Sequence, residues 1–145
     1  MNLIKVILIL LITVSCNNAS QKIKDKEWVL LTDGKTFNNW HTYLSDSVKG
    51  WTIENGVYTL NPGTGSSNNG LVSNKSYTNF ILSVEWKIDK NGNSGIFWGV
   101  NEDPKYSVPY LTAAEIQVID DDVYDKKETK NHLHMNGALY DMVAP

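Results

Sequence analysis

The segment from Phe80 to Asp89 constrains this chain more than any other. Phe80, Leu82, Val84, Trp86 and Ile88 share one parity and are all apolar; Ser83, Glu85, Lys87 and Asp89 share the other, with Ile81 its single apolar member. That period-two alternation predicts a strand with one face buried and Trp86 in the core. Asn91-Gly92-Asn93 follows, with residue types that tolerate positive φ and so predict a turn. Ser94–Val100 and Ala114–Asp120 read as two further strands, the second with Ile116 and Val118 pointing one way and Glu115 and Gln117 the other. If the non-core faces of the three strands line one surface, Glu85, Trp98 or Phe97, Glu115 and Gln117 gather there. That surface is the candidate site.

The remainder of the chain agrees with a β architecture. Trp28–Leu31 predicts a short strand, Asp33-Gly34-Lys35 a turn, and Phe37 and Trp40 an aromatic pair close by. Trp51–Ile53 and Val57–Leu60 flank Glu54-Asn55-Gly56, a strong hairpin signal. Residues 61–70 are a loop of Gly, Asn, Ser and Pro with no Gly-Lys-Ser/Thr, which excludes a phosphate loop. Leu71–Ser73 predicts another short strand, and Gly137–Tyr140 the start of one more. Beyond the first residues no window sustains a 3.6-residue apolar period, so an all-β sandwich or barrel is expected. Asp120–Lys130 reads as a solvated charged loop; its aspartates lack the alternation and glycine of a calcium loop. His132 and His134 stand two apart, and zinc would need a further ligand that no spacing marks, which favours a single hydrogen-bonding histidine.

The N-terminus constrains destination. Lys5 and the apolar run Val6–Val14 have the length of a signal-peptide core, short of the ~20 residues that span a bilayer. A small residue before a lone cysteine makes residues 1–16 similar to a lipoprotein-type signal, with Cys16 as the site of lipidation. Thr13 departs from the larger aliphatic residue usual there. The expectation is an exported chain, lipid-anchored in the cell envelope (periplasm or outer membrane). Residues 17–27 are polar and read as a flexible tether, and 28–145 as the domain. With one cysteine, no intrachain disulfide can form. The full chain has a net charge of −3 and no arginine, and losing Lys5 makes the balance more negative still. Guanidinium clamps are absent, and nucleic acid is excluded as a partner for want of clustered positive charge. A neutral ligand fits best.

Taken in order, Leu31–Lys35 with Trp40, Trp51–Gly56, Tyr77–Phe80, Glu85–Ile88, Gly92–Phe97, Glu115–Asp120 and Gly137–Pro145 resemble the 3-keto-disaccharide hydrolase domain family. Each motif alone is weak, and the ordered set is specific. The resemblance implies a concanavalin-like jelly-roll sandwich of two antiparallel sheets whose concave face holds sugar. It also implies that family domains continue past the final Ala-Pro, so the copy here is expected to be incomplete at its C-terminal end. Gly99 stands where many relatives carry arginine.

The activity implied is cleavage of glycosides whose sugar is a ketone at C3: a base removes the C2 hydrogen, the C1 substituent is eliminated, and water adds back. Glu115 is the expected base, from its mid-strand place on the non-core face. Glu85 is a second acid/base candidate, and His134 or Tyr140 a proton source for the leaving group. Gln117 and Asn93 would bind hydroxyls, and Trp98 or Phe97 would stack on the ring. A divalent metal on Glu115, Asp120 or His134 is a further option that nothing in the spacing demands. Three alternatives stand beside this: a non-catalytic carbohydrate-binding module, an inert fragment, and a two-carboxylate hydrolase of laminarinase type using Glu115 and Asp120. The last would need a bulge at Val118 or Ile119 to bring both acids to one face.

Overall fold

The computed structural model describes residues 28–61, 63, 69–124 and 130–145. The segment 1–16 with Cys16, the tether 17–27 and much of the 61–70 and 120–130 loops lie outside the described residues. Leu31–Pro145 forms one compact unit. Trp28–Leu30 falls in a separate N-terminal unit, and no strand forms there, against expectation.

The chain is mostly β, with small antiparallel sheets. Strand β1 (Trp40–Thr42) pairs with β4 (Leu71–Ser73), β2 (Trp51–Glu54) with β3 (Val57–Leu60), and β5 (Asn93–Trp98) with β6 (Ala114–Ile119). The β2–β3 hairpin forms as its turn residues dictate. Glu54 pairs with Val57, leaving Asn55 and Gly56 as a two-residue loop at φ 51° and 83°. Positive φ at both positions matches the right-handed strand twist, which is why Asn-Gly suits this turn. The β5–β6 register runs unbroken from Asn93 opposite Ile119 to Trp98 opposite Ala114. At its entry, Gly92 N–H bonds to Asp89 O (2.8 Å) and Asn91 takes φ 62°, so the expected turn is present.

Strand β1 is not visible in the sequence, because its partner lies some thirty residues on. Its neighbour Tyr43 is buried, and that hydroxyl donates to the carbonyls of Tyr106 (3.1 Å) and Asn101 (3.3 Å). Trp40 and Trp51 use their indole N–H groups on Leu31 O (3.0 Å) and Asn69 O (2.6 Å), so each ring has the partner that a packed indole needs. Phe37 packs edge-on against Tyr58 at 5.2 Å, and that is its aromatic partner where Trp40 was expected. The Asp33 turn forms as expected. The Thr36 hydroxyl and the Thr36 and Lys35 amides all donate to its carboxylate, holding that carboxyl far below its usual range.

The central expectation fails at Phe80–Asp89. No ladder runs to this segment among the described residues, and it is not a strand. Phe80, Ile81, Leu82, Val84 and Trp86 are all exposed, Trp86 at 48%, so Trp86 is not core. Alternation prepares a face for burial, but a strand exists only where a neighbouring backbone accepts its hydrogen bonds. The charged 120–130 region also departs from expectation. Its start, Asp121–Tyr124, is a single helical turn (α1), and Lys130–His132 is a 3₁₀ turn like Pro109–Leu111. Gly137–Tyr140 forms isolated bridges, Ile116 to Leu139 and Leu139 to Val143, in place of a strand. This C-terminal segment lies along the free edge of β6: Gly137 N–H bonds to Gln117 O (2.8 Å), Gln117 N–H to Ala138 O (2.9 Å), and Tyr140 N–H to Glu115 O (3.0 Å). Val118, Ile119 and Ala138 are buried, Ala138 fully.

Candidate functional site

The β5–β6 register decides which side chains share a face. Phe97 sits opposite Glu115, and Gly95 opposite Gln117; paired residues project to the same side of a sheet. Asn93 shares that parity at the far end, exposed at the start of β5. Trp98, opposite Ala114, projects to the other side with Ile116 and Val118. It therefore cannot serve the Glu115 face, and Phe97 is the aromatic residue beside Glu115.

Glu115 is half-buried, and its side chain lies across Gly95. Its carboxylate accepts no protein hydrogen bond among the described residues, and burial pushes its pKa above the ordinary glutamate value of 4.5. Loss of water around an unpaired carboxylate disfavours the charged form. The product is a stronger base than a surface glutamate.

Gln117 behaves differently from its expected role. It is 3% exposed, and its Oε1 accepts the Val118 N–H (3.2 Å). At that exposure Gln117 is a buried amide with no open surface for a hydroxyl. Glu85 lies in the exposed Phe80–Asp89 segment without a hydrogen bond or ion pair among the described residues, and nothing there joins it to Glu115.

Folding brings a second group to the Glu115 strand through the backbone. Tyr140, tied by its N–H to Glu115 O, stacks on His134 with centroids 4.3 Å apart and planes 3° from parallel. His134 Nε2 lies 2.6 Å from Asp141 Oδ1. An ionised carboxylate only accepts, so Nε2 carries the hydrogen and Nδ1 is the nitrogen left to exchange a proton. Asp141, at φ 58°, was absent from the sequence-derived candidates. Its signal was its place directly after Tyr140 in the Gly137–Pro145 motif.

His132 Nδ1 faces Met135 Sδ at 2.7 Å. Asp120 Oδ2 accepts the Asn91 N–H (2.8 Å). Among the described residues no three of His, Cys, Asp and Glu gather to hold a metal ion.

The profile of the 3-keto-alpha-glucoside-1,2-lyase-like domain family matches residues 27–145. A curated protein of Bacteroides thetaiotaomicron, named 3-keto-disaccharide hydrolase, is 37% identical over 131 residues, which is 80% of this chain and 45% of that protein. A solved protein of Parabacteroides distasonis ATCC 8503, described as a proposed glycosyl hydrolase, is 31% identical with a TM-score of 0.66, over 88% of this chain and 58% of the other. The chain thus spans about half the length of the relatives it matches. It belongs to the 3-keto-alpha-glucoside-1,2-lyase-like, or 3-keto-disaccharide hydrolase, domain family.

Proposed function

We propose that this chain carries the sugar site of a glycoside-cleaving enzyme acting on 3-keto glycosides, with Glu115 as the base. The observation that carries the reading is the half-buried, unpaired Glu115 carboxylate, whose pKa stands above the usual range on a face shared with Phe97. A ketone at C3 acidifies the hydrogen on C2. Glu115 takes that proton, and the C–H electron pair becomes the enolate across C2 and C3. Reformation of the ketone pushes a double bond into C1–C2 and breaks the C1–oxygen bond. The departing oxygen takes a proton from His134, steadied by Asp141 and stacked on Tyr140. Water then adds at C1 and a proton returns to C2. A placed acid or base contributes on the order of 10²–10⁴-fold to such a step. Phe97 offers the apolar face for the ring, and Asn93 an amide at the strand end.

Several broader expectations belong to the same proposal. They are a jelly-roll sandwich for the domain 28–145, an export signal over 1–16, a tether over 17–27, and lipid attachment at Cys16 to the cell envelope. Their support is the sequence pattern and the family relationship. The two-carboxylate alternative lacks the bulge it requires, since the β6 register is continuous through Val118 and Ile119 and Asp120 is engaged by Asn91. A binding module without turnover uses the same surface.

The test is incubation with 4-nitrophenyl 3-keto-α-glucoside and with its unoxidised parent. Release of nitrophenol from the ketone alone is expected. Glu115→Gln should lower kcat by roughly 10²–10⁴-fold while leaving the melting temperature equal or raised. Here the sign follows from the raised pKa: the ionised carboxylate costs folded-state stability above that pKa, and the penalty fades as pH falls through it. Sugar affinity retained by the variant, with no turnover in the parent, favours the binding module; equal action on both glycosides sinks the 3-keto reading.

A further inference from the structure

We infer that Gly95 is a positioning residue, whose missing β-carbon provides the seat on which the Glu115 carboxyl lies against the sheet. This rests on the reading of Glu115 as the base and adds how that base is held. Gly95 and Gln117 are opposite one another, and Glu115 stands one pair along on the same face. Glu115 leans diagonally, so that its carboxyl crosses strand β5 at Gly95. A β-carbon built on Gly95 would collide with Glu115 Oε1, and would lie 2.7 Å from Cδ and 2.8 Å from Cγ. Carbon atoms without a bond between them do not approach so closely, so an alanine there and this placement of Glu115 exclude each other.

Backbone conformation does not require glycine here. Gly95 is absent from the glycines with positive φ, and its place mid-strand is one where glycine ordinarily weakens a sheet. What glycine supplies is room. The colliding atoms belong to the end of a flexible side chain, so an alanine can be accommodated by swinging Glu115 away. The fold then survives while the carboxyl loses its half-buried position and turns toward water. For a base, that is the loss of both aim and strength, and a misplacement of about 1 Å can cost on the order of 10²-fold in rate.

The experiment compares the parent chain, Gly95→Ala, Glu115→Gln and a control, Gly70→Ala. Gly70 also has no positive φ and open space around its α-carbon. Three quantities are read: kcat and KM on 4-nitrophenyl 3-keto-α-glucoside, the pH dependence of kcat, and the midpoint of the Glu115 carboxyl ¹³C titration without substrate. For Gly95→Ala the expected result is a melting temperature at or above the parent's, KM within about twofold and kcat lower by roughly 10–100-fold. The acid limb and the carboxyl midpoint should both move toward lower pH, and Gly70→Ala should match the parent. Parent-like kcat and an unmoved carboxyl midpoint in Gly95→Ala overturn the seat. Should Gly95→Ala fail to fold, the double variant Gly95→Ala/Glu115→Ala decides: folding restored identifies the collision with Glu115 as the cause, and continued misfolding overturns it. A fully active Glu115→Gln, or no turnover by the parent, overturns the catalytic reading instead, and the carboxyl midpoint still decides the seat by itself.

Discussion

Two histidines show how neighbours, more than residue type, give a side chain its role. Among the described residues His134 has one hydrogen-bond partner, Asp141, at Nε2. His41 is held at both nitrogens: Nδ1 lies 2.7 Å from Asn74 Oδ1, and Nε2 2.8 Å from Glu102 Oε2. Asn74 uses its Nδ2 on Asn38 O (3.0 Å), which fixes its oxygen toward the ring. Two acceptors suit the doubly protonated imidazolium. Burial alone would lower the His41 pKa, but the bonds to Asn74 and Glu102 and the charges of Glu102 and Asp46 outweigh it and raise the value above 6.5. Glu102 also accepts the Leu44 N–H (2.8 Å), so this clasp ties β1 to the loop that follows β5. A group with a raised folded-state pKa adds stability that is fully present below its unfolded value and is lost as pH rises through the folded one. Thermal melts from pH 5 to 9 should therefore show stability falling above pH 6.5, and His41→Gln should flatten that slope. A slope unchanged by the substitution removes the clasp from the account.

Elements formed where local chemistry and a partner agreed. The β2–β3 hairpin needs only its own residues, since Asn55-Gly56 turns the chain and four cross-strand pairs follow. Strands β5 and β6 pair with one another across a connection that includes a 3₁₀ turn at Pro109–Leu111. Phe80–Asp89 has the cleanest alternation of all and no partner among the described residues. Hydrogen exchange on this chain separates the cases. Amides from Ile81 to Lys87 should exchange close to the rate of an unpaired chain, while those of Ile96 and Val118 in the paired sheet should be protected by orders of magnitude. Protection across Ile81–Lys87 would show a ladder after all.

In the molecule as a whole, the segment after His132 is bonded along β6. Ala138 is fully buried and bonded through its carbonyl to Gln117, so it joins the C-terminal segment to β6. Ala138→Leu should cost about 1–3 kcal/mol by overpacking and should loosen His134, Tyr140 and Asp141 from the Glu115 strand. Denaturant unfolding measures the first effect and activity the second; an unchanged midpoint would mean the contact is looser than its burial indicates. Much of this arrangement could be read from residue order: the turns at Asp33, Asn55-Gly56 and Asn91, the strands at Ser94 and Ala114, and Glu115 as the polar residue of note. Those features depend on near neighbours, through φ preferences and side-chain parity, and near neighbours are written in the chain. Three outcomes depended on distant residues: Gln117 buried, Trp98 turned to the far face, and Glu115 resting on Gly95. Burial and register are relations between segments far apart in sequence, and they exist only once the backbone hydrogen bonds of those segments have been shared out.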